Sequence, residues 1–138
     1  MAKNHEKQVR DSIYGLGDAN VAYAKYFKGK SYLNGLVAPD DNVGVSVSNV
    51  SFEPGCRNNW HIHRGYQIVI CTAGEGWFQE EGKPARLMKS GDIAVVHEGV
   101  KHWHGATKDS WFAHLVVTKG TTKWYDAVDD DYYNSLNS

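Results

Sequence analysis

Two segments of the chain carry residues that could together bind a metal ion. The first contains His61, His63 and Gln67, separated by two and four residues. Because successive side chains on a β-strand alternate between faces, this even spacing predicts that all three point to the same side. The second segment, residues 91–104, supplies His102 from a neighbouring strand. Three imidazoles and one amide oxygen would leave about two open positions on a six-coordinate ion, an arrangement typical of catalytic sites.

These segments resemble the paired sequence motifs of the cupin superfamily. The glycines and histidines of those motifs are matched here by Gly55, His61, His63 and Gly74 in the first and by Gly91, Gly99 and His102 in the second. The chain departs from the motifs where Gln67 replaces a glutamate, His97 a proline and Ala106 an asparagine. Small manganese-binding monocupins, among them the cupin-type hydroxynitrile lyases, carry a similar His, His, Gln, His ligand set. The resemblance extends from about residue 24 to about residue 125.

The resemblance implies an all-β fold, the cupin double-stranded β-helix or jelly-roll barrel, with short helical segments near each terminus. We expect one cupin domain over residues 14–138, with its core barrel at about 43–118. The 138 residues suffice for one core but are too few for two ordinary domains. Residues 1–13 are polar and charged, which predicts a flexible N-terminal arm.

Hydrophobic patterning gives the expected elements. A short helix is predicted over Asp18–Phe27, capped by Asp18, and a strand over Lys30–Val37. A turn at 73–76 is expected to separate two strands, and residues 129–136 should form one or two helical turns. The predicted barrel strands are Val43–Phe52, Trp60–Ile62, Tyr66–Thr72, Gly76–Glu80, Arg86–Lys89, Ile93–Val96, His102–Gly105 and Phe112–Val117.

Further side chains are candidates for the same cavity. His104 shares the strand parity of His102, so it is either a general base or an ordinary hydrogen-bonded core histidine. His114 is either a second proton-transfer group or a packing residue. Gln67 is a ligand or, alternatively, orients a ligand or a water. Strand parity also predicts four substrate-binding wall residues: Ser48, Val50, Trp77 and Gln79.

The ligand set implied by the resemblance has an electrostatic consequence. All four ligands are neutral, so a divalent ion would keep its full charge and act as a strong Lewis acid toward an anionic oxygen or cyanide. Oxygen and imidazole ligands with open positions favour Mn(II), then Fe(II), with Ni(II) or Zn(II) as further choices.

The leading functional hypothesis is a metal-dependent lyase that acts on a small hydroxylated, carbonyl or anionic substrate. In it the metal stabilises the oxyanion and His104 moves a proton. An Fe(II)-dependent dioxygenase is the second hypothesis, since an open Fe(II) site can bind oxygen and substrate together. The third is a cupin that binds a small molecule without turnover.

Composition restricts the partners. Lys plus Arg total 15 and Asp plus Glu 16, giving a net charge of -1 without a basic run, which argues against nucleic acid and membrane partners. No apolar leader or long apolar run is present, so a cytoplasmic protein is expected, with Cys56 and Cys71 as reduced thiols. The resemblance implies a homodimer or homotetramer, in which the aromatic segment Tyr23–Tyr32 could cover a sheet edge of the partner.

Overall fold

The computed structural model describes residues 4–136 and is built almost wholly of antiparallel strands. Both ends carry one short helix, and a 3₁₀ turn occupies Ala24–Tyr26. The elements are α1 (Glu6–Arg10), β1 (Asp18–Ala19), β2 (Phe27–Lys28), β3 (Ser31–Val37), β4 (Ser46–Phe52), β5 (Arg57–Asn58), β6 (His61–His63), β7 (Gln67–Glu80), β8 (Arg86–Lys89), β9 (Ile93–Val96), β10 (His102–Ala106), β11 (Phe112–Thr118), β12 (Thr122–Trp124) and α2 (Asp130–Ser135).

The strands curl into two sheets that share β7. The first half of β7 pairs with β9 and β11, and β11 continues through β4 and β3 to β1. The second half pairs with β8 and β10. In turn, β10 pairs with β5 and β6, β5 pairs with β2, and β6 pairs with β12. This arrangement confirms the predicted jelly-roll barrel. None of the helices within residues 4–136 has the length and apolar composition needed to cross a bilayer.

One apolar cluster fills much of the barrel interior and borders the histidines. It contains Phe52, Val69, Phe78, Met88 and Phe112. Phe52 and Phe112 meet edge to face with ring centroids 6.2 Å apart. Burial of these side chains holds the two sheets together.

The N-terminal segment corrects one expectation. Residues 1–3 lie outside the described residues, but residues 6–10 form α1 rather than a flexible arm. Val9 is fully buried against Trp111, and the backbone N–H of Trp111 donates to the carbonyl of Asn4 at 2.7 Å. A single apolar residue among charged ones gives little sequence signal, which explains why the docked helical turn was not predicted.

The predicted helix over Asp18–Phe27 is also wrong. Asp18 and Ala19 pair instead with Leu33 and Tyr32 of β3, and only the 3₁₀ turn at Ala24–Tyr26 is helical. Local helix propensity is a weak preference of a few tenths of a kcal/mol per residue, so pairing with an exposed strand overrides it. The predicted strand at Lys30–Val37 is present as β3.

The strand β7 corrects a third expectation, because no turn interrupts it at residues 73–76. Instead, Ala113 pairs with Ala73 and His114 pairs with Cys71, so Thr72 has no partner in β11. This extra residue is a β-bulge, and it shifts the alternation of side chains by one position. Before the bulge the odd-numbered residues face the barrel interior; after it the even-numbered residues do.

The helix α2 lies where one or two helical turns were predicted, and it fastens the C-terminal segment to the outside of the barrel. The Tyr133 hydroxyl donates to the carbonyl of Ala106 at 2.5 Å, and the Arg57 guanidinium lies 4.0 Å from the centre of the Tyr133 ring. Asp130 pairs with Arg57 and with Lys28, the latter at 2.7 Å. Because Arg57 is buried, Asp130 compensates a charge that would otherwise have little contact with water.

The ion pairs of Asp130 predict an acid-dependent stability. The hydrogen bond from Lys28 and the nearby positive charges lower the pKa of Asp130 from 3.8, so the folded state favours the carboxylate. The resulting stabilisation is present above the unfolded pKa of about 4 and is lost as the pH falls through the lower folded pKa. At neutral pH, Asp130→Asn should therefore unfold at a lower temperature than the parent, and the difference should vanish in strong acid.

Differential scanning fluorimetry between about pH 7 and pH 2 measures this difference. Asp131→Asn is the matched control, since Asp131 belongs to the same helical turn and makes no ion pair within residues 4–136. An equal effect of the two substitutions, or a difference that persists in acid, would contradict the assigned role of Asp130.

Candidate functional site

Three histidines converge inside the barrel. His61 and His63 lie on β6, and His102 of β10 pairs directly with His61. Their ring centroids are 4.1 Å apart for His61 and His102, 5.0 Å for His61 and His63, and 5.1 Å for His63 and His102. All three side chains are at most 3% exposed. The even spacing in the sequence thus brings the imidazoles together in a single buried cluster.

In two of these histidines, hydrogen bonds to the backbone determine which ring nitrogen is available to bind a metal. Nδ1 of His61 lies 2.8 Å from the carbonyl oxygen of Asn59, and Nδ1 of His102 lies 3.0 Å from that of Val100. A carbonyl oxygen only accepts hydrogen bonds, so each Nδ1 must carry the proton that it donates. Each Nε2 then has a lone pair available for a metal, and the backbone orients the ring, as is usual for metal-binding histidines.

His63 and Gln67 show polar atoms without satisfactory protein partners. Nδ1 of His63 lies 3.0 Å from the Thr122 hydroxyl, while its buried Nε2 has no hydrogen-bond partner within residues 4–136. Gln67 donates from Nε2 to the Thr118 hydroxyl at 3.0 Å, which leaves its Oε1 3.2 Å from Nε2 of His102. Two lone pairs face each other across this last contact, and a shared cation would turn their repulsion into attraction. The donor set therefore fits a divalent metal ion.

Burial keeps these imidazoles neutral. Burial lowers the pKa of His61 well below 6.5, with a further contribution from His102, and burial lowers the pKa of His102 to about 4. The pKa of His63 is lowered by burial as well. Because only neutral imidazole binds a metal, the cluster is ready for coordination at neutral pH without first losing protons.

His104 lies close enough to belong to the same cluster. The ligating atoms of His61, His102 and His104 all lie within 4.8 Å of one another, so these three residues could hold a metal ion. This group shares two members with the set inferred from the sequence and contains His104 in place of His63. His104 also lines the cavity, in contact with the amide of Asn58.

His114 lies behind His104 rather than in the cavity. Its ring centroid is 4.9 Å from that of His104, 4.5 Å from that of Phe112 and 5.0 Å from that of Phe52. Its side chain is fully buried and its ring nitrogens have no hydrogen-bond partner within residues 4–136, so burial lowers its pKa to about 3. These contacts favour the packing alternative for His114 over direct proton transfer to a substrate.

Above the histidines lies a cavity of about 580 Å³. This volume suits a small organic ligand. Ser48 and Val50 line it, as predicted, and Asp, Glu, Lys and Arg are missing from its lining within the described chain. Aromatic side chains form much of its wall, contributed by Phe27, Phe52 and Trp124. The wall thus offers aromatic and polar contacts, and its described residues add no charged side chain.

Trp77 and Gln79 do not belong to this cavity, which corrects their prediction as substrate-binding residues. Trp77 packs in an outer cluster with Trp103 and Tyr133. Gln79 accepts a hydrogen bond from Nε1 of Trp103 at 2.8 Å and donates to the carbonyl of Lys83 at 2.8 Å. The bulge at Thr72 explains the error, because simple alternation from Gln67 places residues 77 and 79 on the wrong face.

Several cavity residues gave no usable signal in the sequence. Thr122 and Trp124 lie in β12, beyond the predicted core barrel at about 43–118 and in none of the predicted strands. Asn58 belongs to the two-residue strand β5, which is too short to show a pattern. Thr118 could have been found, since it shares the inward parity of His114 and Val116 on β11.

The fold and the site define a small β-barrel protein with a buried histidine cluster. Residues 48–119 match the family model for the cupin domain. The chain belongs to the cupin family. The expectation drawn from the paired histidine motifs is confirmed.

Two proteins are similar to this chain over about nine tenths of its length. It is 34% identical over 131 residues to an (R)-mandelonitrile lyase of Granulicella tundricola, an alignment that covers 92% of this chain and 96% of the lyase. A crystal structure of a cupin-like protein from Thermotoga maritima superposes with a TM-score of 0.83 at 36% identity, covering 90% of this chain and 96% of that one.

A more distant similarity shows the fold alone. A DMSP lyase of Ruegeria pomeroyi superposes with a TM-score of 0.65 at 21% identity, over 79% of this chain and 61% of the lyase. The barrel of the present chain thus also occurs within longer enzymes.

Proposed function

We propose that this protein is a metal-dependent lyase that cleaves the carbon–carbon bond of small, uncharged cyanohydrins to give an aldehyde and hydrogen cyanide. The observation that carries the proposal is the set of unpaired lone pairs on His63, His102 and Gln67 beneath an uncharged, aromatic-walled cavity. The similarity to an (R)-mandelonitrile lyase over nearly the full length of both chains supports it.

The metal would be held by Nε2 of the three histidines and by Oε1 of Gln67, with Mn(II) as the first choice and Fe(II) as the second. When bound, it supplies a Lewis acid that stabilises negative charge on a substrate oxygen. These ligands, His61, His63, Gln67 and His102, add no negative charge. The aromatic wall formed by Phe27, Phe52 and Trp124 would bind the apolar part of the substrate, as a phenyl ring requires.

The proton transfers are assigned to His104. In this scheme a ring nitrogen of His104 accepts the hydroxyl proton of the cyanohydrin while the C–O bond becomes a carbonyl and the C–C bond breaks. The electron pair of the broken bond leaves on the cyanide carbon, which then takes the proton back from His104. Neutral imidazole suits this role because it can accept and return one proton without any other reactant. His114 packs against His104, with ring centroids 4.9 Å apart.

Aldehyde release from (R)-mandelonitrile by the Mn(II)-loaded protein tests the proposal. We expect release above the buffer rate, loss of it after EDTA treatment and its return with Mn(II). A metal-loaded protein that releases no aldehyde from aromatic or aliphatic cyanohydrins would overturn the assignment. Oxygen consumption with such compounds would instead favour the dioxygenase hypothesis, and saturable binding without turnover would favour a binding protein.

Two expectations about the cellular context stay predictions. The first is assembly into a homodimer or homotetramer, for which Leu33 and Leu36 of β3 offer partly exposed apolar side chains. The second is the cytoplasmic location.

A further inference from the structure

Two stacked aromatic rings lie beside one of the cluster histidines. The rings of Tyr26 and Trp124 have centroids 4.6 Å apart and planes only 5° from parallel. The Trp124 indole also contacts the His61 imidazole, with centroids 4.7 Å apart and a tilt of 39° between the planes. Trp124 and His61 line the cavity, whereas Tyr26 lies outside its lining. The indole therefore connects a ring outside the cavity to a candidate metal ligand inside it.

The pairing of β12 with β6 places the indole at this position. Trp124 stands directly opposite His61 in the antiparallel ladder, and side chains of directly opposed residues meet on one face of a sheet. Two backbone hydrogen bonds continue the ladder, from Tyr125 N–H to the Trp60 carbonyl at 2.8 Å and from Trp60 N–H to the Asp126 carbonyl at 3.0 Å. The main chain thus holds the Trp124 indole beside His61.

A second connection joins Tyr26 to the same histidine through Asn59. The backbone N–H of Asn59 donates to the carbonyl of Tyr26 at 2.8 Å, and the carbonyl of Asn59 lies 2.8 Å from Nδ1 of His61. The side-chain amide of Asn59 donates to the carbonyl of Tyr125 at 3.2 Å, which ties the same residue to the end of β12. The 3₁₀ turn, β12 and the residue before β6 therefore form one connected unit around His61.

These contacts restrict the His61 ring in different ways. The hydrogen bond to the Asn59 carbonyl fixes the position of one ring nitrogen. The neighbouring rings of Trp124 and His102 limit how far the plane of the imidazole can tilt about that point. The tilt decides where Nε2 points, and Nε2 is the atom that would bind the metal.

We propose that Tyr26 is a positioning residue of the metal site, whose ring holds the Trp124 indole flat against it and thereby keeps the His61 imidazole oriented for coordination. This inference rests on the proposed function for the metal site and not for the reaction. Because the ring of Tyr26 lies outside the cavity lining, its effect on the metal is exerted through the indole.

Tyr26→Leu tests the stack, because it removes the aromatic ring and keeps an apolar side chain and the backbone carbonyl that binds Asn59. We expect the affinity for Mn(II) to fall about two- to tenfold, the range that one aromatic pair contributes. Tyr26→Phe keeps the ring and should bind Mn(II) as the parent does. Electron paramagnetic resonance of free Mn(II) during a titration of metal-free protein gives the Kd of each variant. A loss in Tyr26→Phe as large as that in Tyr26→Leu would overturn the role of the stack.

A double substitution tests the route through the indole. Trp124→Leu removes the ring that contacts His61 and should lower Mn(II) affinity by at least about tenfold, as loss of an outer partner of a metal ligand does. Adding Tyr26→Leu to Trp124→Leu should cause no further loss, since the ring of Tyr26 then has no indole to hold. Losses that simply add would overturn the inference that Tyr26 acts through Trp124.

Tyr32→Leu is the matched control for a general loss of stability. Tyr32 is also half-buried and stacks on a tryptophan, Trp111, with centroids 5.9 Å apart and planes 12° from parallel. This second stack belongs to the cluster around Val9 of α1 and not to the histidine site. Tyr32→Leu should lower the Tm of the metal-free protein and leave the Mn(II) affinity unchanged. Equal losses of affinity in Tyr32→Leu and Tyr26→Leu would overturn the positioning role.

The outcomes separate this inference from the proposed function. If the parent binds Mn(II) but releases no aldehyde, and the variants lose affinity as expected, the lyase proposal fails and the positioning role of Tyr26 stands. If the parent releases aldehyde and Tyr26→Leu binds Mn(II) as tightly as the parent, the positioning role fails and the lyase proposal stands. A parent that binds neither Mn(II) nor Fe(II) overturns this inference together with the metal site.

Discussion

His102→Ala is expected to abolish metal binding and, with it, cyanohydrin cleavage. His102 belongs to both candidate ligand groups, and its Nε2 faces Oε1 of Gln67 at 3.2 Å. Removing an outer partner of a metal ligand costs about 10–100-fold in affinity, so removing the ligand itself should cost more than about 100-fold. Inductively coupled plasma mass spectrometry of protein dialysed against Mn(II) measures the loss. His97→Ala is the control, since His97 is exposed and lies outside the cluster. Full metal content in His102→Ala would refute the site.

Two further substitutions distinguish the ligand groups. If His63 is the third imidazole ligand, His63→Ala should lose metal, whereas His104→Ala should keep its metal and lose turnover. The reverse pattern would assign His104 as the ligand. The unpaired Nε2 of His63 and the Asn58 contact of His104 favour the first result.

Gly74→Ala is expected to destabilise the fold strongly. Gly74 has a φ of 73°, which disfavours any residue with a Cβ, and the Cβ would lie only 1.9 Å from the carbonyl oxygen of Trp111. That oxygen is backbone and cannot rotate away, so β7 and β11 would have to separate. We expect a loss of about 3 kcal/mol or more, which corresponds to a fall in Tm of about 10 °C for a domain of this size.

Gly82→Ala separates the two causes of this loss. Gly82 has a similar φ of 84°, but a Cβ there would meet nothing within 4 Å. It should cost only the conformational penalty, about 1–2 kcal/mol. Thermal unfolding of the two variants beside the parent makes the comparison, and equal losses would contradict the steric part of the explanation.

The histidine cluster was readable from the sequence because its geometry follows from strand alternation alone. His61 and His63 share a face in any strand, and His102 needs only an adjacent strand to meet them. Most of the strands followed from turn residues and apolar alternation, and the jelly-roll barrel from the resemblance to cupins.

The errors have a common cause, namely contacts between residues far apart in the chain. The bulge at Thr72 depends on how β11 pairs with β7, so the faces of Trp77 and Gln79 could not be read by counting from Gln67. The structure of residues 18–27 depends on β3, and Asn58 reaches His104 only because β5 lies against β10. Each of these requires knowledge of the partner strand.

The extra residue at Thr72 also determines which aromatic side chain packs beside a candidate metal ligand. Phe78 follows the bulge on the interior side, with its ring centroid 5.9 Å from that of His102, whereas Trp77 packs on the outer side with Tyr133. A strand one residue shorter would exchange the two faces and place Trp77 inside. The surroundings of His102 are therefore set by the length of one strand as well as by the identity of its residues, and a single deletion in β7 would change several interior positions at once.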